Sequence, residues 1–369
     1  MIAIPKHIKS LPRLLSPKQL LEPFDKSMLR LCYNENTLGP PKSVIQAICD
    51  HSTGSHLYPD PGCASLIKAL AKHTQNTVDN IIVGNGSEGV LNYIFKALLS
   101  SGDEIITSQG TFVGIYTLAL SYNINCQRIP LTNNYAFDLP SIANNISEKT
   151  KAIYLVNPNN PTGTLVTHAE LKDFLGKVPE NILVILDEAY YEYAVSIDPS
   201  YKGFSYSHHK NLIILRTFSK AYGMASMRLG YGMANHAIID ALMRVKLTFE
   251  PGSLVQYVGE LALQEDDFIE QSSRRNQQQL QVLYKLFDDL NIHHVKSYGN
   301  FVMIDLQSQE QALHIIAQMS EQGVLLSYLA PFGLPTCIRI TAGTAQEMAI
   351  FCDIFSKTYL SSQCLETNL

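Results

Sequence analysis

The sequence lacks several features that mark particular classes of protein. It has no CxxC pair, and its seven cysteines are odd in number and scattered. That usage argues against a disulfide framework or a zinc site, and it favours a reducing, cytoplasmic compartment. The sequence also has no run of lysine and arginine that could track a phosphate backbone, and its net charge is −5. Nucleic acid is therefore not an expected partner, and no metal site is expected either.

Long apolar segments are also missing. No stretch reaches the roughly 18 uninterrupted apolar residues that a membrane-spanning helix needs. The N-terminal stretch MIAIPKHIKSLPRLLSPKQLL is interrupted by prolines and charges before an apolar core of signal-peptide length can form. Neither a membrane span nor a secretory leader is expected.

Charge is scarce, whereas apolar residues are abundant. Charged residues make up 17% of the chain and hydrophobic residues 46%, whereas an average soluble domain has about 25% charged residues. The low charge favours a large interior or a covered interface, and hence an oligomer.

At 369 residues the chain exceeds the roughly 250 to 300 residues at which a single core stops growing. One large and one smaller domain are therefore expected.

Between residues 78 and 234, short apolar runs alternate with helical patterns. The runs are rich in Ile, Leu and Val with little polar alternation, which is typical of strands covered on both faces, and the intervening helices imply crossover connections. The runs are IIVGNG (81–86), EIITS (104–108), CQRIPL (126–131), KAIYLVN (151–157), NILVILDEAY (181–190), NLIILRTF (211–218) and RLGYGMA (228–234). We predict an α/β fold with a doubly wound, mostly parallel sheet.

The pattern changes after residue 250, where a smaller α+β domain is predicted. A long helical stretch extends to about Leu290, and a last helix is expected to end near residue 357. The N-terminal segment has no long periodic element and is predicted to be an extended arm that packs on the small domain. The predicted units are the arm (1–40), a large domain (41–250) and a small C-terminal domain (251–369).

Polar motifs follow four of the predicted strands. They are GSEG (86–89), NPNNPTG (157–163), DEAYYEY (187–193) and TFSK (217–220). Because ligands of doubly wound sheets bind beyond the carboxyl ends of the strands, these motifs predict one site. Alone, each has an ordinary explanation as a helix start, a turn, a cap or a solvated lysine. Their joint occurrence favours a ligand.

Pyridoxal phosphate carries chemical groups that match all four strand ends. Its aldehyde would react with the amine of Lys220, and the carboxylate of Asp187 would keep its ring nitrogen protonated, so that the ring can accept electrons from a substrate. Phe112, after the second apolar run, is placed to stack on the ring. The other matches are Asn160 and Tyr190 for the ring oxygen, and Ser87, Ser219 and Arg228 for the phosphate, where Ser87 opens a predicted helix.

These residues resemble the fold-type I (class I/II) aminotransferases, and within them the histidinol-phosphate aminotransferase-like branch. The resemblance covers nearly the whole chain. The motifs that carry it are YNENTLGPP, LYPDPG, GNGSEG, NPNNPTG, DEAYYEY, RTFSKAYGMASMRLGYG, YGNFVMIDL and LPTCIRITAGT. It implies a homodimer with active sites at the subunit interface, and an amino-acid biosynthetic reaction that moves an amino group from an amino donor to an oxo acid.

The resemblance also implies a role for each residue of the site. Lys220, Asp187 and Tyr190 would be catalytic, with Lys220 bound to the cofactor and acting as acid and base. Tyr58 would reach the phosphate of the neighbouring subunit's cofactor. The residues implied in cofactor binding are Lys220, Asp187, Tyr190, Asn160, Ser219, Thr217, Arg228, Ser87, Glu88, Gly86, Phe112 and Tyr58. The residues implied in substrate binding are Arg339, which would hold a carboxylate, Asn36 and Asn160. The ordinary alternatives are a salt bridge for Arg339 and a turn for Asn36.

Three departures from the family's pattern stand out, and two of them concern the substrate. Members that act on histidinol phosphate commonly carry an arginine in the segment GVLLSYLAPFGLP, where Ser327 or a neighbour stands here. They also tend to carry a tyrosine in the region that here reads LPRLLSP, where Arg13 could compensate. Gly89 stands where an acidic residue is usual.

Four readings of the function therefore remain. Histidinol phosphate and an unphosphorylated, perhaps aromatic, amino acid are alternative substrates for an aminotransferase. A decarboxylase of a phosphorylated amino acid and a noncatalytic cofactor-binding domain are alternatives to aminotransfer itself.

Overall fold

The computed structural model of the protein describes residues 2–12, 27–203 and 209–366. Within these ranges there are thirteen α-helices and thirteen strands. The helices are α1 (Lys6–Ser10), α2 (Lys42–His51), α3 (Ala64–Thr74), α4 (Gly86–Leu98), α5 (Gly114–Ser121), α6 (Leu139–Asn144), α7 (His168–Leu175), α8 (Tyr191–Ile197), α9 (His236–Met243), α10 (Ser253–Ala262), α11 (Asp266–Asp289), α12 (Gln309–Glu321) and α13 (Ala345–Glu366). The strands are β1 (Leu29–Arg30), β2 (Ile81–Asn85), β3 (Glu104–Ser108), β4 (Asn125–Ile129), β5 (Thr150–Val156), β6 (Leu183–Asp187), β7 (Leu212–Thr217), β8 (Leu229–Ala234), β9 (His293–His294), β10 (Phe301–Asp305), β11 (Val324–Leu325), β12 (Ser327–Tyr328) and β13 (Cys337–Thr341).

A seven-stranded sheet forms the centre of the larger unit. Its strand order is β2-β8-β7-β6-β5-β3-β4. Strand β8 runs antiparallel to both of its neighbours, whereas the pairs from β7 to β4 are parallel. Every residue of β3, β7 and β8 is buried, which is why their sequences show no polar alternation. The predicted α/β fold with a mostly parallel sheet is confirmed.

A second, smaller sheet carries the C-terminal part of the chain. Its order is β12-β13-β10-β9, all antiparallel. The N-terminal strand β1 pairs in parallel with β11, and Leu31 joins the same apolar cluster as Phe287 and Phe351. The segment after β1 then crosses towards the large sheet. The chain between β1 and α2 thus connects the small unit to the strand ends of the large one.

In the C-terminal part, the predicted end of the last helix was wrong, and the helical stretch expected to reach Leu290 is divided. This stretch does end near Leu290, but it consists of two helices, α10 and α11. The acidic residues Asp266 and Asp267 begin the second helix, at the end of a helix where negative charge is favourable. The last helix continues past residue 357 to Glu366, since Thr358 and Ser362 are still buried.

Helix α10 packs on the larger unit. Val258 and Ala262 belong to the apolar cluster of the large sheet, and a Cβ on Gly259 would lie 2.4 Å from Leu229. The boundary predicted near residue 250 therefore falls just before a helix that belongs to the large core, and the domain limits remain a prediction. No helix in the described ranges is long and apolar enough to cross a membrane.

Candidate active site

A cavity lies where the polar motifs follow the strands of the large sheet. Most of the residues that line it were predicted from the sequence. The lining residues are Ser87, Glu88, Phe112, Val156, Asn160, Asp187, Ala189, Tyr190, Thr217, Ser219, Lys220 and Arg228. Five segments that are distant in the sequence thus meet at one place.

Lys220 follows β7 and holds its amine among backbone carbonyls. Its Nζ donates to the carbonyl oxygens of Tyr33 and Asn34, each at 3.2 Å. Burial, together with the positive charges of Arg339 and Arg228, lowers the pKa of the Lys220 amine to about 8. The neutral, nucleophilic form is therefore much more populated near neutral pH than in an exposed lysine.

Asp187 ends β6 and is almost fully buried. Its Oδ2 accepts a hydrogen bond from the hydroxyl of Tyr154 at 2.8 Å, and its Oδ1 accepts one from the backbone N–H of Ala189 at 3.1 Å. Burial raises the pKa of the carboxyl to about 6, while these two donors act in the opposite direction. A protonated ring nitrogen is the kind of partner that such a buried carboxylate needs.

Tyr190 is the N-cap residue of α8 and is one of the residues that line the cavity. The hydroxyl accepts a hydrogen bond from Asn34 Nδ2 at 2.8 Å, and burial raises the pKa of the phenol to about 12. The phenol is therefore neutral at physiological pH and can still donate its own proton.

Asn34 was missed in the sequence. It is buried, and its backbone φ is +55°. Asparagine tolerates this left-handed conformation better than most residues. The motif YNENT contains two asparagines. Asn36, after Glu35, was predicted as a site residue, whereas the signal for this contact was Asn34, before Glu35.

The region around Gly86 is built to hold an anion. Gly86 opens α4 with a φ of +74°, and a Cβ there would lie 2.6 Å from Arg228 Nη2. Glycine adopts this φ without strain and leaves the space beside the guanidinium open. Arg228 also donates to Ser219 Oγ at 3.3 Å and to the Glu88 carboxylate at 3.2 Å, and Thr217 Oγ1 donates to Ser219 Oγ at 3.1 Å. The N-terminus of α4, the guanidinium and these hydroxyls provide donors for a phosphate.

Arg339, on β13, is buried and has no acidic partner among the described residues. Its Nη1 donates to Asn160 Oδ1, and its Nη2 donates to the Cys32 carbonyl at 2.7 Å. Its Nε, also buried, has no partner. A buried guanidinium without a carboxylate fits an anionic ligand better than a structural salt bridge.

Some predicted residues lie away from the cavity. Asn36 does not line it, since its Nδ2 donates to the Ala221 carbonyl at 2.9 Å and to Ser272 Oγ at 2.8 Å. Tyr58 is 81% exposed and stacks on Phe249, with 4.4 Å between the ring centroids. Arg13 lies outside the described residues.

The arrangement fits pyridoxal phosphate. An amine, a buried carboxylate and an anion site surround one cavity, and Phe112 supplies an aromatic surface at its wall. Phe112 is held closely, since a Cβ on Gly114 would lie 2.4 Å from its ring. The aldehyde, the ring nitrogen, the phosphate and the ring face of the cofactor thus each have a candidate partner in the cavity.

Comparisons with known proteins agree with this chemistry. The family described as "Aminotransferase class I and II" matches residues 26–355. A histidinol-phosphate aminotransferase from Caldicellulosiruptor saccharolyticus is 36% identical, covering 87% of this chain and 89% of that protein. Histidinol-phosphate aminotransferase 2 from Haemophilus influenzae is 34% identical, covering 93% and 95%. The crystal structure of histidinol-phosphate aminotransferase from Sinorhizobium meliloti in complex with pyridoxal 5'-phosphate superimposes with a TM-score of 0.88 at 27% identity, over 97% of this chain and 98% of that one.

Proposed function

The chain belongs to the aminotransferase class I and II family, and from that premise we propose that it transfers an amino group between histidinol phosphate and an oxo acid such as 2-oxoglutarate. The resemblance inferred from the motifs is confirmed, as are the fold-type I fold, the aminotransferase activity and the pyridoxal phosphate cofactor. The observation that supports histidinol phosphate as the substrate is the similarity to histidinol-phosphate aminotransferases, at 34 to 36% identity over most of both chains.

The residues of the cavity divide the work of the reaction. When bound, pyridoxal phosphate supplies an aldehyde that takes up amino groups and a ring that accepts electrons. Lys220 Nζ binds the cofactor and moves the proton at the α-carbon of the substrate. Asp187 holds the proton on the ring nitrogen. Tyr190 and Asn160 orient the ring oxygen, and Asn160 can do so through Nδ2 because its Oδ1 already accepts from Arg339.

The anion site holds the cofactor's phosphate. The start of α4 lies beside the Arg228 guanidinium, and the hydroxyls of Ser87 and Ser219 complete the set of donors. The residues that we assign to this task are Gly86, Ser87, Glu88, Thr217, Ser219 and Arg228. Phe112 lies at the wall as the stacking surface.

Arg339 is proposed to hold the substrate carboxylate, and Arg339→Lys tests this role. We expect kcat/KM for glutamate to fall by about 100-fold, because a lysine keeps the charge but loses the planar fork that binds a carboxylate through two hydrogen bonds. The absorbance of the bound cofactor should be unchanged. Arg244→Lys, at an exposed pair with Asp240, is the matched control. A kcat/KM within threefold of the parent contradicts the role of Arg339.

The substrate itself is tested by a single turnover. Cofactor-loaded protein is mixed separately with histidinol phosphate, histidinol, glutamate and aromatic amino acids, and the cofactor absorbance is followed. We expect histidinol phosphate to react at least about 100-fold more efficiently than histidinol, because a phosphate carries about two charges that can form charge-assisted hydrogen bonds. A further mixture contains a phosphorylated amino acid that has a free carboxyl group, and release of carbon dioxide from it would instead indicate a decarboxylase.

One observation favours a second candidate, an aminotransferase for an unphosphorylated aromatic amino acid. Ser327, on β12, is the cross-strand partner of Arg339, at the segment where an arginine is common in the family. A serine offers no charge to a substrate phosphate. If aromatic amino acids react and histidinol phosphate does not, this second candidate is correct, while the assignment to the family is unaffected.

We also propose a homodimer that works in the cytoplasm. Tyr58 and Phe249 form a stacked pair that is exposed, and their chain neighbours Leu57 and Leu247 are exposed by 63% and 57%. Such an apolar patch favours a protein partner, and a second copy of the chain would bring Tyr58 towards its site. The described cysteines are all free, which supports a reducing compartment.

A further inference from the structure

The hydroxyl of Tyr154 interrupts the apolar part of β5, residues 152–156. Tyr154 is fully buried within the run TKAIYLV. In the parallel pair of β5 and β6, Val156 lies opposite Asp187 and Tyr154 lies opposite Ile185. Tyr154 and Asp187 are therefore diagonal neighbours on one face of the sheet. This register brings the hydroxyl to 2.8 Å from Asp187 Oδ2.

Asp187 has no cation bonded to it among the described side chains. Its hydrogen-bond donors are the Tyr154 hydroxyl and the Ala189 N–H, one on each carboxylate oxygen. The other charged or titratable groups that act on it or lie beside it are Glu88 at α4, Glu188 after β6, Tyr190 at α8 and Lys220 after β7. Glu88 and Glu188 are carboxylates, and their negative charges make a charged Asp187 less favourable.

We propose that Tyr154 is a positioning residue for the cofactor, whose hydroxyl keeps the Asp187 carboxylate charged and aimed at the ring nitrogen of pyridoxal phosphate. Tyr154 lies behind the carboxylate and does not line the cavity. It acts on the cofactor only through Asp187. The inference rests on cofactor binding and is independent of the amino substrate.

A neutral donor suits this position better than a cation. An arginine or lysine bonded to Asp187 would stabilise the carboxylate as a full ion pair and would compete with the ring nitrogen for it. A phenol hydroxyl favours the charged carboxylate through one hydrogen bond but leaves its charge available. Packing alone does not require the hydroxyl, because phenylalanine has the same shape and needs no buried partner.

The test compares Tyr154→Phe with the parent in binding two cofactors to the cofactor-free enzyme. One is pyridoxal phosphate, and the other is 1-deazapyridoxal phosphate, in which carbon replaces the ring nitrogen. We expect the dissociation constant of pyridoxal phosphate to rise by about tenfold or more, as for loss of a hydrogen bond to a charged group. The constant of the deaza compound should change by less than about threefold, since it has no ring nitrogen for Asp187 to hold.

The pH dependence of binding gives a second readout. Removing a donor to the charged carboxylate raises the pKa of Asp187, so the carboxyl becomes protonated at a higher pH than in the parent. The pH below which pyridoxal phosphate binding weakens should therefore move upwards in Tyr154→Phe. Asp187→Asn is expected to remove the difference, so that Tyr154→Phe has no further effect in the double variant.

Tyr93→Phe is the matched control. Tyr93 is also buried and its hydroxyl donates to the Glu250 carboxylate at 2.6 Å, so the chemical change is the same away from Asp187. Equal weakening of both cofactors by Tyr154→Phe, or no weakening of either, would overturn the inference. If the parent does not bind pyridoxal phosphate, the proposed function fails instead. The two cofactors are compared with each other within each protein. A uniform loss of stability would weaken the binding of both cofactors and therefore does not imitate the expected result.

Discussion

Replacing Lys220 with alanine is expected to lower turnover by at least about 10⁴-fold, because the variant loses both the covalent attachment of the cofactor and the group that moves the substrate proton. Two measurements check this. Steady-state assays give the rate, and mass spectrometry after borohydride reduction shows whether the cofactor stays attached. The parent should retain the cofactor's mass on the peptide that contains Lys220, and the variant should not.

The attachment should also depend on pH in a defined direction. Burial lowers the pKa of the Lys220 amine to about 8, and only the neutral amine attacks an aldehyde. The rate at which cofactor-free protein binds pyridoxal phosphate covalently should rise with pH and level off above about 8. Lys357→Ala, at an exposed pair with Asp353, controls for loss of a lysine. Covalent attachment that persists in Lys220→Ala would contradict the assignment.

Replacing Asp187 with asparagine is expected to lower kcat by at least about 10³-fold, a loss at the upper end for removal of one electrostatic contact that stabilises a transition state. The amide has nearly the same shape but no charge, so the ring nitrogen loses the group that keeps it protonated. Cofactor should still bind through the anion site around Arg228. Asp353→Asn is the surface control. A variant that keeps a rate within tenfold of the parent would refute the role of Asp187.

Much of the large sheet could be predicted because its strands are covered on both faces. Within NLIILRTF, residues 212–215 are all apolar, and β7 is buried along its whole length. The boundary between α10 and α11 was harder, since a helical pattern runs on through Leu263 and only the acidic pair at Asp266 and Asp267 marks a new start. The packing of α10 on the large core depends on tertiary contacts, and no local pattern encodes them.

The residues of the candidate active site divide in the same way, into those that the local sequence predicts and those that depend on tertiary contacts. Residues at strand ends, such as Lys220 and Asp187, were predicted because topology brings strand ends together. Tyr154 was missed because a tyrosine inside an apolar run cannot be told from a core aromatic until the register of β5 and β6 is known. Asn34 was missed for a similar reason, since its contact with Tyr190 is made by a segment whose path depends on the pairing of β1 with β11.

Strand β8 lies between β2 and β7 and runs against both. Arg228, just before β8, therefore meets Ser219, which lies nine residues earlier after β7, and Gly86 after β2, which is far away in the sequence. A chain in which β8 has not yet entered the sheet has no complete phosphate site. Cofactor binding is thus linked to the pairing of β8 with β2, two strands that are distant in the sequence. Non-local pairings of this kind form slowly during folding. Because the cofactor binds only to the complete site, a higher concentration of free cofactor favours the complete sheet more strongly over forms in which β8 is unpaired.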